Sequence, residues 1–360
     1  MRVWQVAAGD PGRDYSRLFF DHDIVLLGPG RHGDIRENKS DYAGWSNQKI
    51  GSIRSMADQV EPGDIMVMRV GAQVIGVGIV PDGHDAGYRW DETYDDIHGW
   101  DLHHMRRVCW TPIHDLVQGR SSGLDKFFTG RWNMFSGLNQ REMAERIRPL
   151  ADQCEQRQLR TLPDPIGPVM EDDEVGEALF SRGLSQDNVD ALLDTIARQR
   201  RMLRWYREHG EESDRPKEHE VVAYMALPML LALGWSEQLL GIEWKKVDLA
   251  AFRKTPTTPD NCVLVCEAKG MKSGLQGRAY PQAQNYTKKL ELDRCKHILL
   301  TQGQRFYLYR RSETGDWPEQ PAGYLNLLKI RQRNLMPAGT SGIDTLKAMT
   351  PQEILGGQGL

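Results

Sequence analysis

Residues 263–269 read VLVCEAK, an apolar run that ends in a carboxylate and an amine. Such a run is typical of a buried β-strand. Because side chains alternate along a strand, we expect Glu267 and Lys269 on one face, near the end of the strand. Unpaired charges are costly in a buried strand, so this pair indicates a functional site rather than a solvated edge.

A third charged residue lies upstream, where IEWKKVDLAAF (242–252) carries Asp248 within another apolar stretch. Two acids and a lysine that converge at a strand end can hold a hard divalent cation and a water molecule. This is the minimum equipment for metal-assisted hydrolysis of a phosphodiester. The spacing of Asp248, Glu267 and Lys269 occurs in many proteins. The interpretation therefore depends on the neighbouring sequence.

Those surroundings have a definite order of elements. EHEVVAYMALPMLLALGW (218–235) predicts an amphipathic helix that closes in a Gly-Trp turn. After the central strands, QAQNYTKKL (282–290) predicts a helix start, and HILLTQGQRFYLYRR (297–311) predicts two strands around a Gln-Gly-Gln turn. The predicted order is helix, strand, strand, helix, strand, strand.

Residues 217–350 resemble the PD-(D/E)XK nuclease fold, specifically the N-terminal nuclease module of type I restriction endonuclease R subunits. The matching features are Glu218 opening a helix that ends in LGW, Asp248, Glu267-Ala268-Lys269, Gln282-x-x-x-Tyr286, PAGYLNLLKI (321–330) and DTLKAMTP (344–351). Val247 stands where the family usually has proline. The sequence has no G-x-x-x-x-G-K-[ST] motif, so ATP-driven translocation is not implied.

The resemblance implies a role for each residue of the central motif. Asp248, Glu267 and the backbone carbonyl of Ala268 would bind Mg²⁺ or Mn²⁺, since hard cations prefer oxygen ligands. Lys269 would orient or help deprotonate the attacking water and offset charge in the transition state.

Three further residues would assist this motif. Glu218 would bind a metal-bound water or a second metal, with Glu220 as the rival for that role. Gln282 and Tyr286 fall on one helix face at i, i+4 and would position a phosphate or the lysine. Ordinary helix residues remain the alternative for Glu218 and Gln282.

The amino-acid composition limits the classes of protein to which the chain can belong. The 360 residues are 39% hydrophobic and 27% charged, as in ordinary globular proteins, and the length predicts two domains. No run of 18 apolar residues and no signal-peptide pattern occurs, so we expect a cytoplasmic protein without a membrane partner. The five cysteines contain no C-x-x-C pair, which argues against a zinc site or a disulfide framework.

Charge is distributed unevenly along the chain, whose net charge is −4. Residues 217–360 contain 19 Lys and Arg against 14 Asp and Glu, whereas residues 1–150 contain 18 against 21 and residues 151–216 contain 9 against 15. The predicted nuclease region is therefore the basic one, as contact with phosphate requires.

We predict a mixed α+β protein with three parts. Residues 1–150 form an N-terminal domain whose many short strands suggest a small β-barrel, with a largely helical stretch at 114–149. Residues 151–216 form a linker containing a helix at 184–210 with Ser185 as its N-cap. Residues 217–360 form the α/β nuclease domain.

Residues 1–112 are similar to the PUA-like group of β-barrels that includes EVE and YTH domains. The similarity lies in VWQVAAGD (3–10), GWSNQKI (44–50) and PGDIMVMRVGAQVIGVGIV (62–80). Domains of this group take a modified base into an aromatic pocket. Trp45 would then be a pocket wall, and Ser46 and Asn47 would donate to the base edge. Trp90 and Trp100 would close the pocket, although simple packing explains these two at least as well.

Together these features predict a modification-dependent, type IV-like restriction endonuclease. Its substrate would be double-stranded DNA carrying modified, for example methylated, bases, and a homodimer would allow both strands to be cut. Two other classes stay open. One is an anti-phage effector nuclease whose N-terminal domain senses RNA or a nucleotide signal, and the other is a non-catalytic nucleic-acid-binding protein.

Overall fold

The computed structural model describes residues 1–10, 13–42, 44–83, 86–116, 135–137, 141–154, 157–209, 215–271, 275 and 277–356. The chain divides into two compact units, Met1–Pro165 and Ile166–Leu360. Both units mix helices with β-sheet, so the fold is mixed α/β with several sheets. Residues 166–216, which we assigned to a linker, fall within the second unit.

The first unit is built mainly from short strands. Its strands are β1 (Val3–Ala7), β2 (Gly9–Asp10), β3 (Arg13–Asp14), β4 (Ile24–Leu27), β5 (Ile65–Val70), β6 (Gln73–Ile79), β7 (Arg89–Trp90), β8 (His104–Arg107), β9 (Cys109–Pro112) and β10 (Phe135–Gly137). Its helices are α1 (Ser16–His22), α2 (Asn47–Asp58), α3 (Ile113–Leu116) and α4 (Arg141–Ala151). Much of the stretch predicted as helical, 114–149, lies outside the described residues.

These strands form separate open sheets. The largest has the order β10-β1-β5-β6-β9, with β1 parallel to β5, and a second has the order β4-β8-β7. The pair β2–β3 stands apart. Among the described strands no sheet closes on itself, because β4 and β8 pair with each other rather than with an edge of the larger sheet. The described part of this unit therefore forms several open sheets and no closed barrel, where the sequence predicts a small β-barrel.

The second unit has one central sheet covered by helices. Its strands are β11 (Leu240–Trp244), β12 (Val247–Phe252), β13 (Cys262–Ala268), β14 (His297–Thr301), β15 (Arg305–Arg310) and β16 (Gly323–Asn326). Its helices are α5 (Asp172–Ser181), α6 (Gln186–Glu208), α7 (Glu218–Val221), α8 (Leu227–Ala232), α9 (Ala279–Lys289), α10 (Gly342–Ala348) and α11 (Pro351–Ile354).

The six strands lie in chain order, β11-β12-β13-β14-β15-β16. Only the β13–β14 pair is parallel, and α9 connects these two strands. One face of the sheet packs against a core that includes α5, α6, α8 and α10. The other face packs against α9 through Ala279 and Ala283. The sheet is thus buried on both faces, which explains the apolar run that precedes Glu267.

Helix α6 belongs to the core of the second unit. Its side chains Leu192, Ile196 and Leu203 are buried with Met225 of the turn that follows α7. The Gln199 amide donates a 2.9 Å hydrogen bond to the Met225 carbonyl. The helix predicted within a linker is therefore held by apolar packing and a buried hydrogen bond. No helix of the described residues is long and apolar enough to cross a membrane.

Candidate active site

Three carboxylates meet at the end of the β12–β13 pair. One oxygen each from Glu218, Asp248 and Glu267 lies within 4.8 Å of the other two. The sheet register explains the meeting of the two strand residues: Leu249 pairs with Cys266, so Asp248 lies opposite Glu267. Residues opposite each other on neighbouring strands share a face. Glu218 comes from the first turn of α7.

Lys269 connects the strand carboxylate to the helix carboxylate. Its Nζ donates to Glu267 Oε1 at 2.5 Å and to Glu218 Oε1 at 3.1 Å. The Lys269 side chain is 14% exposed, that of Glu267 is 0% exposed and that of Glu218 is 39% exposed. The four side chains therefore form one cluster that opens to solvent on the side of Glu218.

Glu267 has an incomplete set of partners. Its Oε2 is buried and makes no hydrogen bond to any described residue. Burial raises the pKa of Glu267 to about 7, and the charge of Asp248 adds to this effect, although the hydrogen bond from Lys269 opposes it. A buried carboxylate oxygen without a partner is costly. This oxygen is therefore available to a proton or to a cation.

Asp248 is oriented by the neighbouring strand. Its Oδ2 accepts a 2.7 Å hydrogen bond from the backbone N–H of Ala268, the last residue of β13. Burial raises the pKa of Asp248, and the negative charge of Glu218 raises it further, against the effect of the Ala268 N–H. The carboxylate is thus held in place by the backbone of β13.

Lys269 carries a positive charge in this setting. Burial by itself would lower the pKa of Lys269, but the hydrogen bonds and charges of Glu267 and Glu218 outweigh it and raise the pKa. The cluster without a cation therefore contains three carboxylates and one ammonium. A divalent cation that binds here would reduce the repulsion between these negative charges in a buried site.

The structure separates the two glutamates that compete for the helix position. Glu218 reaches Lys269, whereas Glu220 Oε2 accepts a 2.8 Å hydrogen bond from the backbone N–H of Lys217. Glu220 thus caps the start of α7 by accepting from the backbone N–H of the N-cap residue. The same helix then passes through a π-helical turn, Val222–Ala226, before α8 begins.

Gln282 and Tyr286 lie together on α9 but bond to each other. The Gln282 side-chain N–H donates to the Tyr286 hydroxyl at 3.1 Å. Within the described part of the chain, no hydrogen bond joins this pair to the carboxylate cluster. Residues 272–274 and 276, which lie between β13 and α9, are outside the described residues. Gln282 and Tyr286 are thus held together by their own hydrogen bond on α9.

Sequence reasoning missed two residues beside the cluster. His219 Nδ1 lies 3.1 Å from Glu243 Oε1, an exposed ion pair that joins α7 to β11 when the imidazole is protonated. The charge of His219 also favours the ionised form of Asp248. The only signal in the sequence was the position of His219 next to Glu218, which is too weak to identify a role.

The donor set fits a hard divalent cation. Glu218, Asp248 and Glu267 supply carboxylate oxygens, and no histidine or cysteine belongs to the group. Mg²⁺ and Mn²⁺ prefer oxygen donors and retain several waters, so a few carboxylates suffice. Glu267 Oε2 is buried and has no partner among the described residues, and a bound cation would satisfy it.

The residues predicted to bind a modified base lie in the first unit. Trp45 is partly buried, and its Nε1 donates to His32 Nε2 at 3.1 Å. Lys49 Nζ lies 5.0 Å from the centre of the Trp45 ring. Ser46 caps α2 by accepting from the backbone N–H of Lys49, and Asn47 is an exposed residue in the first turn of that helix. Ser46 therefore has a structural role in helix capping.

Trp90 and Trp100 make contacts of their own. Trp90 Nε1 donates to the Gly30 carbonyl at 2.7 Å, and its ring meets His103 edge-on at 5.2 Å between centroids. Trp100 is 43% exposed and has the Arg13 guanidinium 4.9 Å from its ring centre. Packing thus accounts for Trp90, while Trp100 remains partly exposed to solvent.

A cavity of about 970 Å³ in this unit contains only one of the five predicted residues. Asn47 lines it, together with Trp4, Phe135 and two arginines, Arg2 and Arg148. Trp45, Ser46, Trp90 and Trp100 are not among the lining residues. This cavity therefore does not contain the predicted set of five residues.

A buried hydrogen-bond network lies behind the loop that contains Gly30. His104 accepts from the Tyr88 hydroxyl at 2.6 Å through Nδ1, and its Nε2 donates to the Pro29 carbonyl at 2.9 Å. The Tyr42 hydroxyl donates to the Gly33 carbonyl at 2.6 Å. Burial lowers the pKa of His104 to about 4, so the ring is neutral and holds this loop in place at neutral pH.

Comparison with known proteins gives one family match. The family described as "Domain of unknown function (DUF8426)" matches residues 4–126. No curated protein matches the chain. The matched region lies entirely within the first unit.

Proposed function

We propose that this protein is a Mg²⁺-dependent nuclease whose active site is formed by Glu218, Asp248, Glu267 and Lys269. The observation that carries the proposal is the meeting of three carboxylates around a lysine, with Glu267 Oε2 buried and unpartnered among the described residues. Hydrolysis of a phosphodiester needs both a stabilised negative charge and a positioned water. This cluster contains groups suited to both tasks.

Asp248 and Glu267 would hold the cation, since their oxygens face each other across the β12–β13 pair. The bound cation would polarise the phosphate and activate a water. Glu218, the more exposed of the two carboxylates that bond Lys269, would accept a hydrogen bond from that water. The Ala268 N–H keeps Asp248 in a fixed orientation while these steps occur.

Lys269 would act as a cation rather than as a base. Its raised pKa keeps the ammonium charged at neutral pH, so it is a poor acceptor of the water proton. An ammonium within reach of the reacting phosphate would orient the water and stabilise the negative charge that develops in the transition state. Its bonds to Glu218 and Glu267 keep it in position before substrate binds.

For the substrate we propose double-stranded DNA that carries modified bases, with the first unit as the reader. The excess of basic residues in 217–360 supports contact with a polyanion. The position of Trp45 supports a role for its ring in base stacking, because the side chain is partly exposed in a polar setting beside His32 and Lys49. The whole would act as a modification-dependent restriction endonuclease, and a homodimer would cut both strands.

The proposal is tested by cleavage of matched DNA molecules in the presence of Mg²⁺. The panel contains unmodified DNA and DNA with modified cytosine or adenine, and Lys269→Ala is compared with Lys296→Ala, an exposed lysine before β14. We expect cleavage of one modified DNA by the wild type and by Lys296→Ala only. Equal cleavage of all DNAs would contradict the reader function. Cleavage by Lys269→Ala would contradict the assignment of the active site.

A further inference from the structure

The turn that joins β11 to β12 has an unusual sequence for its shape. Trp244 pairs with Val247, so only Lys245 and Lys246 form the turn. Both have positive φ angles, 49° for Lys245 and 73° for Lys246. Positive φ at both central residues is the type I′ geometry, which strongly favours Asn-Gly. Two lysines in this conformation carry a local backbone strain.

The turn lies at the edge of the carboxylate cluster. Asp248 follows Lys246 by two residues, and the next strand pairs Leu249 with Cys266. That register places Asp248 opposite Glu267. Lys245 and Lys246 immediately precede β12, so the turn adjoins the end of β12 that carries Asp248.

Both lysines are exposed, and their charges are available to a ligand. Lys245 Nζ lies 5.2 Å from the centre of the Trp244 ring, and Trp244 Nε1 donates to the Thr257 carbonyl at 3.2 Å. The acidic neighbour Glu243 is engaged by His219. No ion pair involving Lys245 or Lys246 is present among the residues that the structure describes. The turn is thus a positively charged edge beside an acidic site.

We propose that the Lys245–Lys246 turn binds a backbone phosphate of duplex DNA next to the phosphodiester that is cut. The inference rests on the nuclease function proposed above. A cluster of three carboxylates repels a polyanion until a cation binds, so a fixed positive group beside it would hold the strand in register. A phosphate-binding role also gives a reason for keeping two lysines where Asn-Gly would be less strained.

Two variants of the turn separate this role from a structural one. Lys245→Ala/Lys246→Ala removes both charges, and Lys245→Asn/Lys246→Gly removes them while supplying the preferred turn residues. The matched control is Arg294→Ala/Lys296→Ala, which removes two exposed positive charges next to His297. His297 pairs with Leu264, so this control lies toward the opposite end of β13 from Lys269.

The measurement is the affinity of the full-length protein for a fixed duplex DNA that carries the modification, over a range of NaCl concentrations. Ca²⁺ replaces Mg²⁺ in this assay, since it also binds to oxygen donors. Each lost phosphate contact is expected to weaken binding and to reduce the slope of log K against log[salt] by about 1. We expect both turn variants to bind about tenfold more weakly, with a slope smaller by about 1–2.

The Lys245→Asn/Lys246→Gly variant should also unfold at a temperature about 2–4 °C higher than the wild type. Higher stability together with weaker DNA binding would support the proposal. An unchanged salt slope in both turn variants, with normal binding by the wild type, would overturn this inference and leave the nuclease function standing. An equal loss in the Arg294/Lys296 control would overturn it as well. Absence of salt-dependent binding by the wild type would overturn both proposals.

Discussion

Lys269 Nζ lies 2.5 Å from Glu267 Oε1, with Glu267 near the end of β13 and Lys269 one residue beyond that end. The same ammonium reaches Glu218 on α7, so the lysine ties the helix to the sheet. This link accounts for one oxygen of Glu267 and leaves the other without a partner among the described residues. The proposed nuclease function depends on what occupies that second oxygen.

Glu267→Gln keeps the shape of the side chain and removes its charge. We expect cleavage to fall by at least about 100-fold, because even groups that only support a metal ligand contribute 10- to 100-fold. The metal-free variant should unfold at a higher temperature than the wild type, because a buried carboxylate is replaced by a neutral group. The measurements are cleavage rates and thermal unfolding in a chelator.

Glu220→Gln is the matched control for that substitution. Glu220 accepts from the backbone N–H of Lys217 and takes no part in the cluster, so cleavage should stay within about threefold of the wild type. If Glu220→Gln abolished cleavage and Glu267→Gln did not, the assignment of the cluster would be wrong.

The pKa of Glu267 predicts how metal binding depends on pH. Burial raises this pKa to about 7 in the cation-free site, so below pH 7 a proton competes with the metal. The Mg²⁺ concentration for half-maximal cleavage should rise about tenfold for each pH unit below 7, and the dependence should flatten above about pH 7.5. A Mg²⁺ requirement that is constant from pH 5.5 to 7.5 would contradict this.

The same pKa shift affects the stability of the metal-free protein. A glutamate whose pKa is raised in the folded state, here from 4.5 to about 7, stabilises the fold at low pH. This contribution is complete below the unfolded pKa and is lost as the pH rises through 7. It should therefore diminish between about pH 4.5 and 7 in a chelator, and saturating Mg²⁺ should reverse the loss. Comparing the thermal unfolding of wild type and Glu267→Gln isolates this contribution.

Tyr286→Phe tests the pair on α9. The substitution removes the hydroxyl that accepts from the Gln282 amide, which should cost about 0.5–1.5 kcal/mol of stability at most. If the pair positions a phosphate, the cleavage rate should fall about tenfold while the Mg²⁺ dependence stays unchanged. Cleavage at the wild-type rate would show that the pair has only a structural role.

Trp45→Ala tests the proposed reader. Trp45 is partly exposed, so the first unit should stay folded while the preference for modified over unmodified DNA is lost. Trp110→Ala is the contrasting variant, because Trp110 is fully buried and donates to the Ile24 carbonyl at 2.8 Å. That change should destabilise the first unit by about 3–5 kcal/mol. If a folded Trp45→Ala protein kept its preference for modified DNA, the assignment of Trp45 to the base-binding pocket would be wrong.

Local features of the fold could be predicted from the sequence. Ser185 was predicted as a helix cap, and it accepts from the Asn188 N–H at 3.3 Å at the start of α6. The alternation along VLVCEAK placed Glu267 and Lys269 on one face, where they form a hydrogen bond. Both features depend only on residues a few positions apart, which is why they can be predicted from the sequence alone.

Pairing between distant strands could not be predicted in this way. β1 lies parallel to β5 across more than 50 residues, and β4 pairs with β8 in a sheet of its own. Alternation predicts that a segment is a strand without identifying its partner strand, so the sequence favours a small barrel where the described strands form separate open sheets. The packing of α6 into the second unit was missed for the same reason.

Details of the candidate site were also beyond the sequence. Glu218 and Glu220 both begin a helix, and only the direction of each side chain shows that Glu220 is a cap. The left-handed turn at Lys245 and Lys246 lacks the Asn-Gly sequence by which such turns are recognised. Trp45 meets His32 across a loop that has no periodic pattern.

The central claim is tested most directly by following Mn²⁺ binding and DNA cleavage in the same titration of wild type and Asp248→Asn. We predict that cleavage by the wild type rises with occupancy of the Mn²⁺ site, and that Asp248→Asn loses both the bound metal and the cleavage while remaining folded. Cleavage that persists in Asp248→Asn, or a wild type that binds Mn²⁺ at this cluster and cuts no nucleic acid, would contradict the account.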